Sequence, residues 1–226
     1  MLKPHCKLCN QRSGPSHMLN DCQLDVLNEN SSQMIFQAGE ALIKQDSPTN
    51  NVVYIKSGLV KIHTKGPNRE RIMNIAKAPS YLCLHSTFGD KINHFSATAI
   101  EPTTVCYIDS KTFTNFIEEN GKFAYQVIQS MGRGELQNFH YLIDIAQKQN
   151  MGRVAHTLLF FSKDIYKSNN FILPVSRQEL ADLTGITRES ISRILHNFHN
   201  DKILKIEGRK ISIEKKQVLE DISEKG

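Results

Sequence analysis

Four side chains between Arg188 and Arg193 carry hydrogen-bonding chemistry matched to base edges: Arg188, Glu189, Ser192 and Arg193. An arginine donates two parallel hydrogen bonds to guanine, a carboxylate accepts from cytosine, and a hydroxyl serves several bases. Upstream, Ser176-Arg177-Gln178-Glu179 has the spacing of a capping box, in which the hydroxyl and the carboxylate satisfy free backbone donors reciprocally, so a helix is predicted to start at Arg177. Leu180, Ala181 and Leu183 give that helix a buried side, and Thr184-Gly185-Ile186 supplies a turn in which glycine takes a positive φ. Thr187 then caps a second helix, Arg188 to Asn200. Its residues Ile191, Ile194, Leu195 and Phe198 face inward, while Arg188, Glu189, Ser192, Arg193 and His196 point elsewhere.

Two strand-like runs follow, Ile203 to Ile206 and Lys210 to Ile213, around Glu207-Gly208-Arg209. They read as a hairpin wing that sets Arg209 and Lys210 beside phosphates. From Arg188 to Lys210 there are six Lys or Arg against three Asp or Glu. A merely solvated helix face accounts for the charge but not for the ordered set of cap, turn and wing. The reading is a winged helix-turn-helix on double-stranded DNA, with Ser176, Arg177, Thr187, Arg188, Glu189, Ser192, Arg193, Arg209 and Lys210 as contact candidates.

Cysteine is the second chemistry. Cys6, Cys9, Cys22, Cys83 and Cys106 are an odd number, and the start, Met1 to Cys6, lacks the apolar run of a secretory signal. A disulfide framework is not expected, which leaves the thiols free, metal-bound or redox-active. Zinc held by Cys6, Cys9, Cys22 and His5 or His17 is permitted by the spacing without being demanded. Cys106, sharing a strand face with Ile108, is also the kind of small apolar residue that fills a core. His63, His85 and His94 are each open as an axial haem ligand or as ordinary hydrogen-bonded residues.

The elements that must position these groups form an α+β chain of 226 residues, long enough for two cores. Hydrophobic residues at 39% and charged residues at 23% exclude disorder; the net charge of +5 favours an anionic partner without proving one. Residues 1–32 read as a cysteine-containing segment with a short helix. Residues 33–115 read as an antiparallel, cupin-like β-roll sensor, from the runs Val52 to Ile55, Val60 and Ile62, Ile72 to Ala76, Ala97 to Ile100 and Val105 to Ile108, with turn signals such as Gly39 and Gly66-Pro67 between them. From Lys111 to Tyr166 the apolar period becomes helical. Within that span Phe123 to Gln149 carries too many apolar residues for one stripe, so residues 116–149 read as a dimerisation helix. The DNA-binding domain is placed at residues 150–226. No stretch approaches the 18 apolar residues of a membrane span, which with the missing signal predicts a cytoplasmic protein, and no nucleophile, metalloprotease or phosphate-loop spacing marks an enzyme.

The run Ser-Arg-Gln-Glu-Leu-Ala-Asp-Leu-Thr-Gly-Ile-Thr-Arg-Glu-Ser-Ile-Ser-Arg-Ile-Leu, residues 176–195, resembles the DNA-binding signature of the CRP/FNR family, that of the cyclic-AMP receptor protein and the fumarate-nitrate regulator. The likeness extends over essentially the whole chain, as a cyclic-nucleotide-binding type of roll, long dimer helix and winged helix-turn-helix. It implies a homodimer on a palindromic TGTGA-like or TTGAT-like site, with Glu189 and Arg193 on the central C and G, and a contact to RNA polymerase. Ser192 resembles the FNR branch and Arg188 the cyclic-AMP branch. The cyclic-nucleotide branch uses an Arg-Ser pair for the phosphate, whereas Ala78 to His85 and His94 to Ala99 supply no arginine, so cyclic AMP is not expected. The FNR branch holds an iron–sulfur cluster on thiolates, and Cys6, Cys9, Cys22 and Cys106 resemble that set, with a Cys9 to Cys22 gap longer than the family pattern. The reading that competes with a specific regulator is a non-specific or architectural DNA-binding protein with a vestigial effector domain.

Overall fold

The structure is a computed structural model, and it describes residues 6–66 and 69–226. The His5 candidate, the Pro67 turn signal and the first residues of the chain lie outside the described residues. The chain divides into two compact units, Met1–Leu136 and Gln137–Gly226.

The first unit opens with single 3-10 turns at Cys6–Leu8 and Pro15–Met18, followed by α1 (Asp21–Glu29). Asn20 starts α1 through a capping box with Gln23, and Leu24 and Leu27 are its buried face. The strands are β1 (Ser31–Phe36), β2 (Ala41–Ile43), β3 (Asn51–Ser57), β4 (Leu59–Lys65), β5 (Glu70–Lys77) and β6 (Ser80–Leu82); after the short α2 (Leu84–Phe88) come β7 (Ser96–Ala99) and β8 (Thr103–Asp109). They form two four-stranded antiparallel sheets, ordered β1-β8-β3-β6 and β2-β7-β4-β5. One apolar cluster inside the roll joins Ile55, Val60, Leu82, Ala97 and Val105. Burying each of the Ile, Val and Leu side chains among them contributes about 1.5–3 kcal/mol.

Against the other side of β3 and β8 pack α1, α3 (Ser110–Glu119) and the start of α4 (Gly121–Gln147), through Leu24, Leu27, Val52, Phe113, Phe116, Phe123 and Val127. The helical period running on from Lys111 is interrupted at Asn120. Its backbone is extended, and its side chain accepts from the Phe123 amide at 3.1 Å and donates to the Met18 carbonyl at 2.9 Å, so α4 starts as a new helix at Gly121.

The second unit contains the last turns of α4, then α5 (Asn150–Phe160), a π-helical turn at Phe161–Tyr166, β9 (Asn170–Ile172), α6 (Arg177–Thr184), α7 (Arg188–Asn200), β10 (Leu204–Glu207), β11 (Lys210–Ile213) and α8 (Lys216–Lys225). The three strands form one antiparallel sheet ordered β10-β11-β9. Sequence spacing puts the start of the DNA-binding domain near Asn150, whereas the compact unit begins at Gln137. Within this unit the Tyr141 hydroxyl on α4 donates to the Leu183 carbonyl of α6 at 3.3 Å.

Candidate nucleic-acid interface

The two helices expected from sequence are present with the expected starts. The Ser176 hydroxyl accepts from the Glu179 amide at 3.2 Å, and the Glu179 carboxylate accepts from the Ser176 amide at 2.8 Å, completing the capping box of α6. Gly185 ends α6 at φ 75°, in the left-handed region that favours glycine, and its amide donates to the Ala181 carbonyl at 2.9 Å. Thr187 caps α7, accepting from the Ser190 amide at 3.2 Å. The hydroxyls of Ser176 and Thr187 are thus engaged in holding helix ends.

Helix α7 buries Ile191, Ile194, Leu195 and Phe198, the four residues that its spacing selected. That leaves Arg188, Glu189, Ser192, Arg193 and His196 exposed on its outer side. Ser192 donates back to the Arg188 carbonyl at 3.0 Å, and His196 bonds Asn200 at 3.0 Å. Among the described residues the side chains of Arg188, Glu189 and Arg193 have no hydrogen bond or ion pair, so two guanidinium groups and a carboxylate stand undischarged on the first two turns.

The wing is the β10–β11 hairpin, with Glu207 opposite Lys210 and Gly208 in the turn at φ 61°. Lys210 is exposed. Arg209 donates through Nε to the Leu173 carbonyl at 3.0 Å, which fixes its stem while the residue stays exposed. Lys205 pairs with Glu207 at 2.9 Å, and that partner raises the lysine and lowers the carboxylate from their ordinary pKa values. Arg177 differs from an open DNA contact: it is half-buried, and its Nη2 donates to the Gly208 carbonyl at 3.5 Å. Burial pulls its pKa down, and its Nη1 is buried without a partner among the described residues.

The candidate cysteines separate. Cys6, Cys9 and Cys106 line one recess of the first unit, about 460 Å³ of empty space counting its open mouth, while Cys22 is exposed on α1 outside it. Cys6 is anchored by its amide donating to the Asn28 side chain at 3.2 Å. Burial pushes the Cys106 thiol up to about 11 and raises Cys6, with Lys56 and Arg12 pulling the other way on Cys6. Tyr54 and Tyr81 complete the wall; Tyr54 donates to the Gln11 carbonyl at 2.8 Å, and Tyr81 bonds Ser13. Arg12 and Lys56 escaped the sequence reading. Lys56 has a signal in retrospect, because it breaks the apolar run of β3, whereas nothing distinguishes Arg12.

Among the described residues no three His, Cys, Asp or Glu side chains are grouped to hold a metal ion. Cys6, Cys9 and Cys106 line one recess while Cys22 lies outside it, so the four candidate thiols are not gathered around one iron–sulfur cluster. His17 is exposed, away from that recess. The haem candidates are engaged otherwise: His63 bonds Thr98 at 2.8 Å and pairs with Glu70, His94 pairs with Asp90 at 2.7 Å, and His85 packs on Phe95 with centroids 5.3 Å apart. Burial lowers the pKa of His85.

Two family models match this geometry in order: a cyclic nucleotide-binding domain over residues 33–120 and a Crp-like helix-turn-helix domain over residues 152–222. The chain belongs to the CRP/FNR family. Among its relatives, the fumarate and nitrate reduction regulatory protein of Yersinia pestis is 26% identical over 97% of this chain and 90% of its own length. The transcriptional activator protein FnrA of Stutzerimonas stutzeri is 24% identical over 92% of this chain and 88% of its own. The structure of FixK2 from Bradyrhizobium japonicum shares the fold, with a TM-score of 0.76 at 22% identity over 85% of this chain and 96% of that one. This CRP/FNR chain therefore pairs a cyclic-nucleotide-binding type of β-roll with a helix-turn-helix, and its relatives are transcription regulators rather than enzymes. No helix among the described residues is long and apolar enough to cross a membrane.

Proposed function

We propose that the protein is a cytoplasmic, sequence-specific transcription regulator that binds a palindromic TGTGA-like or TTGAT-like site as a homodimer. The observation that carries this reading is the outer face of α7, where Arg188, Glu189 and Arg193 are exposed and uncommitted above four fully packed apolar residues. Glu189 accepting from cytosine and Arg193 forking onto guanine read the central step of each half-site; Arg188 and Ser192 read its flank. Arg209 and Lys210 on the wing, and the caps at Ser176 and Thr187, sit against phosphates and set register without reading sequence.

Dimerisation rests on α4. Its residues Tyr125 and Ile128, Leu136 and Phe139, Phe139 and Leu142, and Phe139 and Ile143 stand three or four apart, with eight residues, close to two whole turns, from Ile128 to Leu136, and Leu136, Phe139 and Leu142 are 60%, 56% and 58% exposed. Two such stripes facing each other bury surface that is otherwise open to water. A two-fold dimer matches a two-fold operator, with half-sites one DNA turn apart. The signal acts at the β-roll or at the recess of Cys6, Cys9 and Cys106 by shifting the population of α4 packings, which changes the spacing of the two recognition helices. Promoter output then follows from contact with RNA polymerase.

Fluorescence anisotropy with a palindromic duplex, and with duplexes altered at the central C·G pair of each half-site, tests the reading. Discrimination at that pair supports it. Binding that is salt-sensitive but blind to sequence instead makes the protein an architectural DNA binder, and a monomer in sedimentation velocity removes the palindrome.

A further inference from the structure

The recess of Cys6, Cys9 and Cys106 lies on the opposite side of its sheet from the core of the roll. Along β3, Val53 and Ile55 belong to the cluster inside the roll, whereas Tyr54 belongs to the cluster outside it, as does Ile108 of β8, and Cys106 packs against that outer cluster. Lys56 lines the recess beside Tyr54. The N-terminal segment covers this face and supplies Cys6, Cys9, Gln11, Arg12, Ser13 and Ser16 to the wall. An occupant here is therefore separate from anything held inside the roll.

The charge of the recess is one-sided. Arg12 and Lys56 line it, and the described residues of its wall include no Asp or Glu. Neither cation has an ion pair among the described residues: Lys56 donates to the Gln33 side chain at 3.2 Å, and the Nε of Arg12 is buried with no hydrogen-bond partner. The thiols do not balance them, because burial pushes Cys106 up to about 11 and raises Cys6, which keeps both protonated at neutral pH. The hydroxyls of the wall are already engaged. Tyr54 donates to the Gln11 carbonyl, Ser31 to the Leu27 carbonyl, and Ser13 is shared between Ser16 and Tyr81. What the wall still offers a ligand is N–H donors on two cations, and a buried donor without an acceptor is costly.

Size narrows the occupant. About 40 Å³ of the recess is open to the centre of a water molecule, where one water takes about 10–15 Å³. That volume admits an anion of about four non-hydrogen atoms and excludes a nucleotide. We propose that the recess is a binding site for a small oxyanion of the size of nitrate or bicarbonate, held by Arg12 and Lys56, which ties the N-terminal segment to β3 and β8. The planar guanidinium suits two oxygens of one such anion, and the ammonium adds a second charge. This names the chemistry of the signal placed at the recess under the proposed function, and it rests on that reading only for its effect on DNA.

Thermal unfolding of the full chain without DNA, in sodium nitrate against sodium chloride at matched ionic strength, tests the site whatever the operator proves to be. Nitrate is used because it does not move the pH. It is expected to raise the melting temperature beyond chloride in a saturable way, as a ligand of the folded state does. Arg12→Gln and Lys56→Gln should each raise the half-saturating concentration by about tenfold or more, since each removes a charge-assisted bond. Cys106→Ser, and Lys111→Gln at an exposed cation on α3, should leave it within about twofold. The same melts show whether each variant folds, and one folded recess variant suffices. No saturable effect beyond chloride overturns the proposal, as does an effect that survives the recess variants. So does stoichiometric iron and sulfide in anaerobically purified protein, lost on Cys106→Ser, because the two cations would then offset the charge of a cluster.

Discussion

The guanidinium of Arg177, in the first turn of α6, donates through Nη2 to the carbonyl of Gly208 in the wing turn, 3.5 Å away. One side chain thus ties the helix-turn-helix to its wing. Arg177→Ala is expected to weaken binding to all duplexes evenly, because wing placement bears on phosphates, and to cost about 1 kcal/mol of stability for the lost hydrogen bond and stem packing. Arg177→Lys separates charge from geometry: it keeps the cation but not the planar fork, so it should behave like alanine. Restored affinity in the lysine variant, measured by anisotropy, would show that charge alone matters.

Arg193 and Lys210 should fail in different ways. Arg193→Ala is expected to cost about 1–3 kcal/mol at one base pair and to relax preference there. Lys210→Ala should weaken every sequence equally and reduce the salt slope by about one. The check is a panel of single-base-pair duplexes titrated at several salt concentrations; equal, sequence-independent losses from both variants would end the assignment of Arg193 as a reader.

Removing the Ser176 hydroxyl breaks one half of the α6 capping box, the bond accepted from the Glu179 amide, and leaves the Glu179 carboxylate on the Ser176 backbone amide. Ser176→Ala should cost about 1 kcal/mol in denaturant melts, and Ser176→Asp, which restores an acceptor at the helix start, should recover most of it. A neutral alanine variant would mean that tertiary packing of Leu180 and Ala181 alone sets the helix.

The DNA-reading half was legible because each of its signals is local. Ser176 and Glu179, Gly185, Thr187 and the inward residues of α7 act within one or two turns of where they stand, so spacing alone places them. The break at Asn120 was not legible, because it depends on a hydrogen bond to Met18 from a distant part of the chain. The same holds for the recess: Lys56 comes from β3, Cys106 from β8 and Arg12 from the N-terminal segment, and only the folded sheet brings them together. Arg177 shows the limit from the other side, since its residue type suits phosphate while its position turns it toward Gly208.

Exposure and burial predict an order of thiol reactivity. The thiolate is the attacking species, and burial pushes Cys106 up to about 11 and Cys83 up to about 12, while Cys22 is exposed. Iodoacetamide at pH 8, followed by peptide mass spectrometry, should label Cys22 first and leave Cys83 and Cys106 nearly untouched. Because both raised groups stay protonated in the fold while ionising when unfolded, their stabilising contribution is complete below about pH 9 and is lost as the pH climbs toward 11. Labelling of Cys106 at the rate of Cys22 would contradict a thiol held protonated by burial.

His156 gives the opposite pH dependence. Burial lowers its pKa below the ordinary value, with Asp144 pulling it up and Lys148 pulling it further down. Its Nδ1 accepts from Lys148 at 3.2 Å and its Nε2 faces Asp144 at 3.1 Å, so the proton of the neutral ring lies on Nε2. A second proton on Nδ1 would point at an ammonium. The unfolded chain takes up that proton near pH 6.5 and the folded chain resists it, so the contribution is present above about pH 6.5 and is lost as the pH falls. Urea melts between pH 7.5 and 5 should show stability falling on acidification, with a shallower slope in His156→Gln. Some slope should survive in that variant, because burial also depresses His85 in the other unit. An identical slope in the variant and the parent would place the proton uptake elsewhere and leave the Asp144–Lys148–His156 cluster as a purely mechanical brace.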